Sequence, residues 1–196
     1  MIKTYGFLGS IRLFTSFIYT KMVYPQARLI RLPFDIRNRN NIRIGKGFTT
    51  GVGCRIAAFP LNENYSCCIE IGENVQINDY VHIAAVESIK IGNNVLIASK
   101  IYISDHNHGR YDDEDGDHPM SIPLHRKLIC KPVVIGDNVW IGESVCVLPG
   151  VAIGEGCIIG ALSVVTKNIP AYSIAVGSPA KVVKQYDFEQ KKWKKI

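Results

Sequence analysis

An aliphatic residue followed by a small one recurs every six positions along most of the chain. One stretch reads Ile44-Gly45, Thr50-Gly51, Ile56-Ala57; the next reads Ile71-Gly72, Ile77-Asn78, Ile83-Ala84; a third reads Ile91-Gly92, Ile97-Ala98, Ile103-Ser104. After an interruption the pattern resumes with Ile135-Gly136, Ile141-Gly142, Val147-Leu148, Ile153-Gly154, Ile159-Gly160 and Val165-Thr166. A second apolar or small residue sits four positions later, as at Val75, Val81, Val95, Ile101, Val139, Val145, Val151, Cys157 and Ile169. Two inward positions in six residues describe a short strand plus a turn, and three such units close one triangular coil. An α-helix would need apolar spacings of three and four held to one stripe, and each Gly beside the β-branched residues would weaken it by about 1 kcal/mol. The pattern therefore predicts an all-β solenoid whose axis is filled by Ile and Val ladders.

Outside the repeat the pattern changes. Thr4 to Tyr24 has spaced aromatics and aliphatics with few breakers, which predicts one or two short helices ended by Pro25. Asp187 to Ile196 is short and basic, and a helix is expected there as well. The chain thus divides into an N-terminal basic helical segment (1–40), a solenoid domain (41–183) and a basic C-terminal tail (184–196). Three irregularities break the solenoid: residues 58–68, the pair Glu87-Ser88, and a long excursion over 105–132 that carries Asp112, Asp113, Glu114, Asp115 and Asp117. A packed solenoid admits insertions only at its corners. A loop as long as the third, flanked by histidines, is expected to be functional.

Composition narrows the picture. At 196 residues and 47% hydrophobic, the chain can bury a core and needs one principal domain. The six cysteines, at 54, 67, 68, 130, 146 and 157, form neither a CxxC pair nor a zinc-ligand spacing, and are read as reduced thiols of a cytoplasmic protein. Arg12 interrupts the apolar run from Tyr5 to Tyr19, so neither a secretory signal nor a span of about 20 apolar residues is expected. The net charge of +6 is uneven: before Glu63 the only acid is Asp35, against Lys3, Arg12, Lys21, Arg28, Arg31, Arg37, Arg39, Arg43, Lys46 and Arg55. That balance suits a phosphorylated cofactor or anionic lipid headgroups, or is simply a solvated basic face. A peripheral contact of the basic N-terminus with the inner face of the cytoplasmic membrane follows as one expectation. Nucleic acid is set aside, because no stacking platform or recognised motif accompanies the charge.

The six-residue repeat is similar to that of a family of acyltransferases, and acyl transfer from a thioester to an alcohol needs a base for the hydroxyl proton, donors for the oxyanion and a cradle for the carrier's phosphates. Histidine titrates in the right range, and His82, His106, His108, His118 and His125 are available. The repeat over 42–183 resembles the hexapeptide-repeat acyltransferases, which implies a left-handed parallel β-helix. It also implies a homotrimer with its sites between subunits and acetyl-CoA as co-substrate. No metal is implied. The string Ile103-Ser-Asp-His-Asn-His-Gly109 resembles the catalytic corner of sugar and xenobiotic O-acetyltransferases of that family, and matching from Ala98 puts the general base on His108. Gly109 stands where the family often has Pro, so His106 is the competing candidate.

The same resemblance places Asn78 and Trp140 against the acceptor, and an oxyanion-binding backbone N–H near Gly142 or Glu143. It puts Ala161, Thr166 and Lys167 along the cofactor, with Lys181 and Lys184 facing its phosphates. Over the whole chain the likeness is to bacterial O-acetyltransferases of lipopolysaccharide O-antigen biosynthesis, which implies a sugar or lipid-linked saccharide acceptor. Xenobiotic or free-sugar acetylation is the alternative. A carbonic-anhydrase-like zinc enzyme built on His82, His106 and His118 is a weaker reading, because no rigid coil fixes all three.

Overall fold

A computed structural model describes residues 2–61, 68–111 and 116–196. Most of the predicted irregularity over 58–68 and the acidic run Asp112 to Asp115 lie outside the described residues, as does Cys67. The chain opens with helix α1 (Ile2–Val23), broken at Gly6, whose φ of 68° is not helical. The expected one or two helices before Pro25 are thus one helix with a break.

From there the chain winds as a coil with three parallel faces. Face A stacks Thr49–Thr50, Gln76–Ile77, Leu96–Ile97, Trp140–Ile141, Ile158–Ile159 and Ser173–Val176. Face B stacks Phe34–Arg37, Cys54–Ala58, His82–Ala85, Tyr102–Ser104, Cys146–Val147 and Val164–Val165. Face C stacks Ile42–Ile44, Ile69–Ile71, Ile89–Ile91, Val133–Ile135 and Ala152–Ile153. The six-residue period sets the register: Ile56 lies beside Ile83, Ile83 beside Ile103 and Ile103 beside Val147, so each aliphatic sits on the one a coil away. These ladders are buried, together with the second inward set from Val75 to Ile169. Parallel pairing begins upstream of the repeat, with Leu29 bridging Thr49 and Phe34 beside Cys54.

The tail departs from the sequence expectation. The predicted C-terminal helix is instead a hairpin, Lys181–Asp187 with Lys192–Lys195, added antiparallel to the face A strand Ser173–Val176. Tyr186 meets Phe188 and Trp193 edge-on, at 5.0 and 5.3 Å between ring centroids. The physical reason is that the end of face A presents open backbone groups. A strand that pairs with them outweighs the modest helix preference of the lysines. Within the long excursion, His106–His108 pairs antiparallel with Leu128–Cys130 as a ribbon leaving the coil.

Candidate active site

Two edges of the coil hold most of the predicted residues. At the B/C edge, Asp105 follows the face B strand and is fully buried. Its carboxylate accepts the backbone N–H groups of Val86 (2.9 Å), Glu87 (2.7 Å) and Ser88 (2.7 Å). The Glu87-Ser88 irregularity seen in the sequence is thus the turn that this carboxylate ties down. The His106 ring nitrogen Nδ1 lies 3.0 Å from Asp105 Oδ1 and 3.2 Å from Ser104 Oγ. Burial alone would raise the Asp105 pKa, but the His106 hydrogen bond and the three N–H donors outweigh it and hold the carboxyl below its ordinary range. An ionised carboxylate on Nδ1 fixes the proton there, leaving Nε2 of His106 as the acceptor. The His106 side chain keeps 14% exposure.

His108, the first-ranked base of the sequence reading, lies two residues further along the ribbon and is exposed. Its carbonyl accepts the Tyr111 hydroxyl, and its ring stands edge-on to His106 at 6.4 Å. Among the described residues no carboxylate holds its ring. His82 sits on the outside of face B against Tyr102 (5.4 Å between rings), and burial, with Arg55 and Arg37 nearby, pushes its pKa down. His118 belongs to the excursion, where its Nδ1 accepts the Met120 N–H. Among the described residues no three His, Cys, Asp or Glu side chains gather as a metal site.

At the A/B edge the backbone does the work. In each turn the first residue donates its N–H to the coil on one side: Asn78 to Ile97, Ala98 to Ile141, Gly142 to Ile159. The third donates to the coil on the other side: Tyr80 to Val52, Lys100 to Asp79, Ser144 to Ser99, Leu162 to Glu143. The middle N–H of the turn is left over. In the first coil it belongs to Val52 and is capped by Asp79 Oδ1 at 2.8 Å. Those of Asp79, Ser99, Glu143 and Ala161 have no acceptor among the described residues. The result is a column of outward donors one strand spacing apart, about 4.8 Å. Of the two oxyanion positions anticipated after Trp140, the Gly142 N–H is occupied at 2.8 Å by Ile159, so only that of Glu143 is free. Gly142 has no room for a side chain, since a Cβ there would come within 2.6 Å of the Ala161 nitrogen.

The remaining candidates distribute over the same framework. Trp140 is half-exposed on face A, and the Asn78 amide oxygen accepts a hydrogen bond from Gln76 at 3.0 Å. Thr166 and Lys167 are exposed at the B/C edge, in a coil beyond that of His106. Lys181 and Lys184 stand on the added strand opposite Val176 and Ile174, with no acidic partner among the described residues. Asn78, Glu143 and Ala161 therefore lie on one edge of face B, and His106, Thr166 and Lys167 on the other. Sequence reasoning missed Asp105 as the partner of His106, although the adjacent Asp-His pair was visible. It also missed the open column, whose signal is the absence of Asn or Asp from positions 99, 143 and 161. A groove of about 840 Å³ runs between α1 and this edge, lined by Arg12, Leu13, Arg31, Leu32, Asp79 and Tyr80 among others.

Comparison with known proteins fits this geometry. Residues 132–167 match the bacterial transferase hexapeptide (six repeats) model. The chain is 46% identical over 199 residues to the putative lipopolysaccharide biosynthesis O-acetyl transferase WbbJ of Escherichia coli K12, covering 100% of this chain and 97% of that protein. A solved maltose O-acetyltransferase from Clostridium difficile superposes with a TM-score of 0.59 at 33% identity, over 76% of this chain and 72% of the other. The N-acyltransferase AntD from Bacillus cereus, solved with coenzyme A and dTDP-4-amino-4,6-dideoxyglucose, shares the fold at a TM-score of 0.67 and 22% identity, with 84% of each chain covered. The chain belongs to the bacterial hexapeptide-repeat transferases and, within them, to the acetyltransferases.

Proposed function

We propose that this chain is an acetyl-CoA-dependent O-acetyltransferase that modifies a sugar hydroxyl of a lipopolysaccharide or other surface polysaccharide precursor. The observation that carries it is the His106 ring held at Nδ1 by a buried carboxylate. Such a ring is oriented to accept a proton at Nε2. We assign the base to His106 rather than to His108, because among the described residues the former alone has a carboxylate partner that fixes its tautomer.

In the proposed reaction, Nε2 of His106 takes the proton of the acceptor hydroxyl as its oxygen attacks the thioester carbonyl. The oxyanion is met by the Glu143 N–H. When the carbon–sulfur bond breaks, the imidazolium returns the proton to the departing thiolate, giving an O-acetyl ester and free CoA. No acyl-enzyme forms. The pantetheine arm follows the donor column past Ala161, with Thr166, Lys167, Lys181 and Lys184 toward the phosphates. Asn78 and Trp140 face the acceptor.

His106 and Glu143 lie on opposite edges of one face, so a complete site needs the B/C edge of one copy against the A/B edge of another. A homotrimer with a left-handed coil satisfies this with three equal sites. Tenfold dilution into conditions that separate subunits would then abolish turnover. The direct experiment is CoA release, read by thiol detection, with acetyl-CoA and a panel of sugar acceptors. Acceptor-dependent release lost in His106→Ala and kept in His108→Ala is the expected result; the reverse moves the base by two residues. No turnover together with no acetyl-CoA binding would overturn the reading.

A further inference from the structure

Helix α1 is apolar on both sides, and only one side has something to lie against. Its inner side is fastened to the coil by hydroxyls: Thr20 Oγ1 accepts the Ile30 N–H at 2.8 Å and Ser16 Oγ accepts the Leu32 N–H at 3.1 Å. Its outer side carries Phe7, Ile11, Phe14, Ile18 and Met22, at steps of four, three, four and four, which place them in one stripe. All are exposed, Phe7 to 70% and Met22 to 78%. A helix that is hydrophobic all round is ordinarily covered all round.

The charges around this stripe have one sign. Lys3, Arg12 and Lys21 are the helix's charged residues, and among the described residues none has an acidic partner; Lys21 Nζ donates to the Ala27 carbonyl at 3.0 Å, and Arg12 lines the groove on the inner side. The single acid before Glu63, Asp35, is already held by Arg37 (3.0 Å) and Arg55 (3.1 Å). A second copy of this chain could cover the apolar stripe, but it would bring the same cations against one another. A bilayer interface rich in anionic headgroups satisfies both parts, with hydrocarbon for the stripe and phosphate for the cations. The helix is not long and apolar enough to cross a membrane, so it would lie in the interface plane.

We infer that the outer face of α1 is a docking surface for an anionic lipid bilayer. The inference stands on the helix alone and does not depend on acyl transfer. The same helix walls the groove that ends on Asp79 and Tyr80, next in sequence to Asn78. Docking therefore holds that groove at the lipid surface, where an acceptor carried on a lipid would be presented.

The test is co-sedimentation of the full chain with vesicles of phosphatidylcholine containing about one third phosphatidylglycerol, against phosphatidylcholine alone. The wild type is expected to sediment with the anionic vesicles and to be released by salt. Phe7→Ser/Phe14→Ser/Ile18→Ser should lower the bound fraction about tenfold or more, with oligomeric mass and melting midpoint unchanged. Lys3→Gln/Lys21→Gln should remove the preference for anionic vesicles. Wild-type protein that stays in the supernatant overturns the inference, as does a triple Ser variant that still binds. A triple Ser variant that alters the oligomeric mass overturns it too, by making this face a contact between copies.

Discussion

The two edges of face B are built from the same six-residue repeat and use their backbone in opposite ways. At the B/C edge three successive N–H groups, from Val86 to Ser88, are taken up by one buried carboxylate, which then has a lone pair to offer His106. At the A/B edge, among the described residues, the middle N–H of the turn is capped once, by Asp79 on Val52, and then left open at Asp79, Ser99, Glu143 and Ala161. The C/A edge supplies the control: there Asn93 Oδ1 caps the Glu73 N–H and Asp137 Oδ1 caps that of Asn93, at 2.8 and 2.7 Å. A turn in this coil is readily capped by an Asn or Asp one coil along. Leaving a column uncapped therefore follows from the residues chosen, and it suits a site that must offer donors to a ligand.

The sharpest way to break the contrast is at the proposed base. His106→Ala is expected to lower kcat by about 10³-fold, with acetyl-CoA affinity nearly unchanged because the donor column lies on the other edge. Equilibrium dialysis with CoA alongside turnover separates the two effects. Equal loss of binding and turnover would mean that His106 shapes the cofactor site rather than handling the proton.

Asp105 ties stability to chemistry, so Asp105→Asn should affect both. The amide keeps the shape but cannot hold the His106 tautomer as an ionised carboxylate does, and kcat should fall by about 10² or more. Stability should fall too, by about 2 kcal/mol, because three N–H donors lose a charged acceptor. The folded-state pKa of Asp105 is lowered, so its contribution is fully present above the ordinary carboxylate range and is lost as pH falls through the folded value. Urea midpoints measured from about pH 5 downward should decline more steeply in the wild type than in Asp105→Asn. Parallel curves would remove Asp105 as the source.

The coils were legible because the period is a direct image of stacking: every Ile or Val of the ladder is where the repeat put it. What distinguishes His106 from His108 was not, because the difference lies in which neighbour is buried. Asp105 has the same composition signal as any loop aspartate until the Glu87-Ser88 turn closes over it. The tail was misread for a related reason. Lysine-rich stretches favour a helix when considered alone, whereas the open edge at Ser173–Val176 and the pairing of Tyr186 with Trp193 exist only in the folded chain. Gly142 draws attention in the sequence for its N–H, which in the folded chain is already taken by the Ile159 carbonyl.

That distinction gives the next test on the A/B edge. Gly142→Ala places a Cβ within 2.6 Å of the Ala161 nitrogen, a backbone atom that cannot swing aside. Acetyl-CoA should bind about tenfold more weakly, read by calorimetry, while the B/C edge and its pH-dependent stability remain as in the wild type. Unchanged affinity would show that the column is not the carrier's track.

The smallest effect is expected furthest from the reacting atoms. Lys181 and Lys184 sit on the added strand, where neither has an acidic partner among the described residues, so their charges are available to a phosphate. Each is a flexible point charge without the fixed fork of Arg, and exposed pairs of this kind contribute about 0.5 kcal/mol. Lys181→Ala/Lys184→Ala should thus raise KM for acetyl-CoA by about fivefold, leave kcat alone, and flatten the rise of KM with salt. Because both lysines flank face A, pantetheine lacking the nucleotide phosphates should bind the double variant and the wild type equally. A loss of pantetheine binding in the variant would instead place the two lysines beside the donor column itself.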